Sequence, residues 1–255
     1  MAGDPDEPDA SFNSAWIKVR WAEQQFGELQ AIAKRFIEEH NKAAGLSEDG
    51  ERFMHTKQIH PFIPCHAGDI IFSARSALDC CWMGLKRAND ASAGKGTLPR
   101  ADTREELVGS LRKFSVESAF TGSDELVLNG VRPYRDGNEA LWFGGKVDNW
   151  NKHNMIVLTA QKSHIHSVVL INPLRRVDIS FNDFKVVGSP PEGGGIIGGV
   201  SLQVHPDHKP VMTSEIILVS RKPVDERPLI PFLAALLKET REAVELFTAT
   251  FGTKG

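Results

Sequence analysis

What this chain has little of narrows the field first. Its longest apolar stretch, residues 229–237, holds Pro231 and falls far short of the roughly 20 residues that span a bilayer as a helix, so no membrane partner is expected. Cysteine is scarce: Cys65, Cys80 and Cys81 are an odd set, and the last two are neighbours in a helical pattern where they cannot easily bridge each other. A reducing compartment, the cytoplasm, is the expected location, with no disulfide framework. Basic charge is not in excess, since the formal net charge is −3. That excludes a global attraction to nucleic acid and leaves room only for a local basic face. The opening residues, MAGDPDEPDA, are acidic and proline-bearing where a signal peptide is basic and then apolar. A disordered acidic tail over residues 1–11 is expected.

What is present describes an ordinary globular chain. With 255 residues, 41% hydrophobic and 25% charged, it can bury a sizeable core without metal or disulfide staples. From residue 11 to 44, Val19, Ala22, Phe26, Leu29, Ala33 and Phe36 recur at spacings of three and four, the seam of an amphipathic helix about 50 Å long. Such a helix needs a partner along most of its length. A second helix is expected over 67–88, with Ile70, Ala74, Leu78, Cys81 and Leu85 on one face and Pro61 and Pro64 as breakers before it. A short strand is expected within 52–59. Thr103 followed by Glu106 has the form of a capping box and starts a helix over 103–114. Further helices are expected at 123–129 and 138–152.

After residue 154 the texture becomes β-branched, with strands expected at 155–158, 165–171, 177–187, 196–204 and 211–220 at hairpin-like spacing. A final helix over 231–251 carries Leu233, Leu236, Leu237, Val244 and Phe247 on one side. The order predicts an α+β fold: a helical bundle of long antiparallel helices with an antiparallel sheet inserted before the C-terminal helix. Residues 12–255 read as one domain, helical over 12–153 and 229–251 and sheet-forming over 154–222. A division near residue 154 is the second choice.

Several motifs fail on their context. Ala93-Gly94-Lys95-Gly96-Thr97 resembles the end of a phosphate loop, but Asn89 stands where its first glycine belongs, and a helix precedes it where a strand should. The glycines of residues 193–199 lack dinucleotide-binding spacing. His205, Asp207 and His208, or His164 with His166, offer metal ligands without the third or fourth partner that a metal needs. No cofactor and no metal is therefore expected.

One constellation remains. Arg75 and Asp79 are four apart on the second helix, on the flank of its apolar face, and can pair as an inter-helix polar clamp. Gly68-Asp69-Ile70-Ile71-Phe72-Ser73-Ala74-Arg75-Ser76-Ala77-Leu78-Asp79, the later Asn149-Trp150-Asn151-Lys152-His153, and between them Arg132-Pro133-Tyr134 and Leu141-Trp142, resemble a group of bacterial proteins mostly of unassigned function. The likeness covers roughly residues 60 to 155. The same helix is similar to the arginine–histidine signature of HEPN-like helical bundles, many of which are metal-independent RNases working as dimers. This chain departs from the pattern: Cys80 occupies the histidine position, Ser73 an asparagine position, and Asn154 the place of an arginine.

A homo-oligomer is expected from the length of the first helix, and the resemblance implies RNA as a partner. It implies two outcomes for the site. In the favoured one the bundle binds or supports without catalysis. In the other, a metal-independent RNase or phosphate-ester enzyme, Arg75 steadies a phosphate and His153 supplies the imidazole that Cys80 does not, with Asp79 and Lys152 beside them. A third reading is a small-molecule-binding protein, its ligand unidentified, with Tyr134, Trp142 and Trp150 lining a pocket between sheet and bundle.

Overall fold

A computed structural model describes residues 8–43, 45–46, 53–54, 59–88, 96–115, 123–154, 159–172, 177–187, 203–204, 211–221 and 224–251. The fold is α+β and largely helical, with an antiparallel sheet before the last helix. In chain order it has α1 (Pro8–Ala43), β1 (Gly45–Leu46), β2 (Phe53–Met54), α2 (Phe62–Ala88), α3 (Arg104–Ser115) and α4 (Ser123–Glu125). A π-helical stretch (Leu126–Val131) and α5 (Glu139–Asn154) follow, then β3 (Thr159–Asn172), β4 (Val177–Val187), β5 (Gln203–Val204), β6 (Val211–Arg221), β7 (Val224–Pro228) and α6 (Leu229–Phe251). Its residues form two compact units, 1–28 with 65–157 and 231–255, and 29–64 with 158–230.

The first unit is built on helix faces that the sequence pattern marks. Val19 and Ala22 of α1, Ile70, Ala74, Leu78, Cys81 and Leu85 of α2, and Leu233, Leu236, Leu237, Val244 and Phe247 of α6 are all buried. Each fully buried large side chain contributes roughly 1.5–3 kcal/mol. Helices α1 and α2 run antiparallel here: Arg87 Nη1 donates to Ser11 Oγ at 2.7 Å near one end, and His66 Nδ1 lies 2.8 Å from Gln25 Oε1 near the other. Helices α5 and α6 also run antiparallel. Asn138 Nδ2 donates to Glu239 Oε2 at 2.6 Å, and the Phe143 and Phe232 rings meet edge to face at 5.2 Å. Gly144 allows that approach, because a Cβ there would stand 2.8 Å from Leu236 Cδ1.

Local chemistry sets the ends of these elements. Thr103 Oγ1 accepts from the Glu106 N–H at 3.2 Å, while Glu106 Oε2 reaches one residue further back than a regular capping box and accepts from the Asp102 N–H at 3.0 Å. Asn138 Oδ1 caps α5 by accepting from the Leu141 N–H at 3.1 Å. The helix expected at 123–129 is instead one α turn that widens into a π-helix. It ends at Arg132, whose N–H donates to the Val127 carbonyl at 2.8 Å in a left-handed conformation, φ 52°.

In the second unit the sheet order is β4-β3-β6-β7, all antiparallel, with β5 also paired to β3. Pro228 ends the edge strand β7, where a missing N–H costs no inner ladder bond. Ile216, Ile217 and Leu218 are buried in succession, so both faces of β6 are covered at that point. Against β6 the register of β3 shifts by one residue between Ile165 and Ser167. Pro64 does not precede α2 as a breaker but lies in its first turn, where helical N–H groups have no intrahelical acceptor. The strand expected within 52–59 is the short β2, paired with β1. The strand at 155–158, the glycines at 193–199 and the residues from His205 to His208 lie outside the described residues, as do Ala93, Gly94 and Lys95.

Candidate functional site

Arg75 and Asp79 sit one helical turn apart on α2 and grip the same backbone. Arg75 Nη2 donates to the Leu98 carbonyl at 2.6 Å and stands 3.1 Å from Asp79 Oδ1. That same carboxylate oxygen accepts the Leu98 N–H at 2.9 Å. Both polar groups of one peptide-chain residue are thus taken by one ion pair, whose side chains are only 11% and 21% exposed. The reciprocal pattern satisfies a partly buried backbone that no helix or sheet supports.

Leu98 begins a strap, residues 98–102, that is pinned along its length. The Ala101 N–H donates to the Pro133 carbonyl at 3.3 Å, and the Asp102 carbonyl accepts from the Arg135 N–H at 3.4 Å. Asp102 Oδ1 receives Trp142 Nε1 at 2.9 Å and Lys146 Nζ at 2.6 Å. Those bonds, Lys146 first, hold the Asp102 carboxyl below its ordinary range. Lys146 and Arg135 also stand over the Trp142 ring, 5.7 and 5.5 Å from its centroid.

Arg100 occupies the middle of the strap and lies across α5 at Gly145, where any Cβ would overlap its guanidinium. Burial lowers its pKa to about 10, Arg75 adds like-charge repulsion, and Asp148, Asp79 and Asp102 oppose both. Arg100 Nη1 is buried and makes no hydrogen bond with a described residue. Charge and packing, more than directed bonds, hold this side chain in place.

The expected site residues divide accordingly. Arg75, Asp79 and Trp142 converge on the strap. Trp142 is buried, with its N–H bonded to Asp102, and Tyr134 is half-buried in the turn where its carbonyl accepts the Gly137 and Asn138 N–H groups at 3.0 Å. Trp150, Lys152 and His153 belong to the last turns of α5, but their side chains lie outside those described, so no distance from His153 to Arg75 enters the geometry. Compared with protein-family models, curated proteins and solved structures, the chain matches none.

A separate opening lies between α1 and α2. The cleft, about 440 Å³, has Ser14 and Lys18 on one wall and Ser76, Asp79, Cys80 and Arg87 on the other. Burial pushes the Cys80 thiol up from its usual pKa; Lys18 pulls against that rise, Asp79 adds to it, and Arg87 pulls against it in turn, so both cations and the Asp79 carboxylate act on this position. Neither Tyr134 nor Trp142 lines the cleft. Lys18, Arg87, Arg100, Asp102 and Gly145 were not among the residues that the sequence pattern singles out. Only Gly145 leaves a trace there, as half of a glycine pair inside a helix, where each glycine costs roughly 1 kcal/mol and marks a close approach.

Proposed function

We propose that the chain is a non-catalytic, HEPN-like helical bundle that acts by binding, and that its arginine-bearing helix motif is a structural clamp. The observation that carries this reading is the use of Arg75 and Asp79 on Leu98: the guanidinium edge that would steady a phosphate is bonded to a carbonyl at 2.6 Å. Trp142 of the same motif set grips the other end of the strap through Asp102. At the histidine position Cys80 carries a thiol whose pKa is raised, a poor proton carrier near neutral pH.

The test is cleavage of labelled single-stranded RNA by the purified protein in excess EDTA, with Arg75→Ala and His153→Ala alongside. No cleavage by any of the three is the expected result. Cleavage by the parent that both variants lose would replace the clamp with a metal-independent RNase site. Self-association belongs to the same proposal: Ile17 and Trp21, four apart on α1, are 65% and 51% exposed. A dimer mass by light scattering, reduced by Trp21→Glu, is expected, and a monomer at all concentrations would remove that part.

A further inference from the structure

We infer that the cleft between α1 and α2 binds a small phosphomonoester with an apolar body. This deepens the binding reading above, because it names a ligand class for a bundle taken to act without catalysis. Size comes first: at about 440 Å³ the cleft falls within the range of small-molecule sites and is too small to be a general macromolecular groove. Charge comes second. Lys18 lines the cleft half-buried, and among the described residues no carboxylate pairs with it. Arg87 faces it from the other wall and is oriented by its bond to Ser11. Asp79 also borders the space, but Arg75 sits 3.1 Å from it and offsets its charge.

Charge also decides between anions. A carboxylate brings a single negative charge, whereas a phosphomonoester brings a charge near −2 and three acceptor oxygens to a cleft lined by Lys18 of α1 and Arg87 of α2. Met83 and the Cys80 thiol add a soft, polarizable surface for the ester's apolar part.

The experiment titrates the full chain with phenyl phosphate, benzoate and inorganic phosphate by calorimetry, and repeats it with Lys18→Gln and with Lys34→Gln as a control on exposed α1 surface. Saturable binding of phenyl phosphate, about tenfold weaker in Lys18→Gln and unchanged in Lys34→Gln, is expected. Location is read separately: phenyl phosphate should slow alkylation of Cys80 by iodoacetamide and leave exposed Cys65 unaffected. Absence of saturable binding, equal affinity in Lys18→Gln, or an unprotected Cys80 would overturn the assignment. Benzoate binding as tightly as phenyl phosphate would overturn the phosphomonoester class. RNA cleavage in EDTA would instead remove the non-catalytic reading and leave the phosphate binding standing, so the two failures are distinguishable.

Discussion

Replacing Arg75 by methionine keeps the length of the side chain and removes its charge and donors. The Leu98 carbonyl then loses its partner at 2.6 Å, and Asp79 keeps the Leu98 N–H but loses the guanidinium at 3.1 Å. A hydrogen bond from a charged group is worth about 1.5–3 kcal/mol, and breaking a fully buried pair costs about 3–5. The pair is 11% and 21% exposed, so water softens the loss, and about 2–3 kcal/mol is the expected cost. In a protein of this size that lowers Tm by about 5–10 °C. The assay is thermal unfolding followed by circular dichroism, for Arg75→Met, Asp79→Asn and the double variant. Because both side chains hold one residue, the double variant should cost less than the sum by about 1 kcal/mol or more. A change in Tm under about 1 °C for Arg75→Met, or strict additivity in the double variant, would refute the clamp.

Three other outcomes follow from the same geometry. Gly145→Ala puts a methyl group into the Arg100 guanidinium and should destabilise by about 1–2 kcal/mol; adding Arg100→Ala should recover most of that loss in the same unfolding assay. Gly109→Ala on α3 meets nothing within 4 Å and should raise stability by up to about 1 kcal/mol, read as a higher denaturation midpoint. Asp102 has a depressed folded pKa, so its contribution is fully present above the unfolded carboxylate value and is lost as pH falls through the folded one. The fall of Tm from about pH 5 to pH 3 should therefore be shallower in Asp102→Asn, and only modestly so because the side chain is 53% exposed.

How much of this is legible in the sequence depends on the range of the interaction. The apolar spacing of α1, α2 and α6 locates buried faces because a helix's own period decides which residues share a side. Thr103 and Glu106 mark the start of α3 for a similarly local reason. Phe26 is only half-buried although it belongs to the same seam, since burial also needs a neighbour at that height. The strap is a loop by composition, and nothing local says that Arg75, Asp79, Trp142 and Lys146 will grip it: the partners are some 20 to 45 residues away along the chain. Arg132 shows the reverse. It precedes Pro133, which disfavours helical conformations for it, yet it takes a left-handed one because ending the π-helix and starting the turn to Tyr134 requires it. The cleft is the least legible feature, because Lys18 and Arg87 come to line one space only through the antiparallel pairing of two helices.

Clamp and cleft share one residue, and that gives the sharpest test of both. On α2, Arg75 and Cys80 are five positions apart, about 140° around the helix axis, so they serve opposite flanks. Asp79 lies between those directions: it bonds Leu98 and Arg75 and also borders the cleft. An anion in the cleft would meet this carboxylate as a like charge if Arg75 did not neutralise it. At roughly 6 Å and an effective dielectric near 40, the repulsion between the carboxylate and a dianion is about 2.8 kcal/mol, a factor of about one hundred in affinity. Arg75→Met should therefore weaken phenyl phosphate binding by up to about a hundredfold although Arg75 does not line the cleft, and Arg75→Met with Asp79→Asn should restore it. Affinity in Arg75→Met equal to that of the parent, measured in variants that remain folded, would mean that Asp79 does not face the bound anion. Equal weakening in the single and double variants would trace the loss to a displaced strap, with charge playing no part.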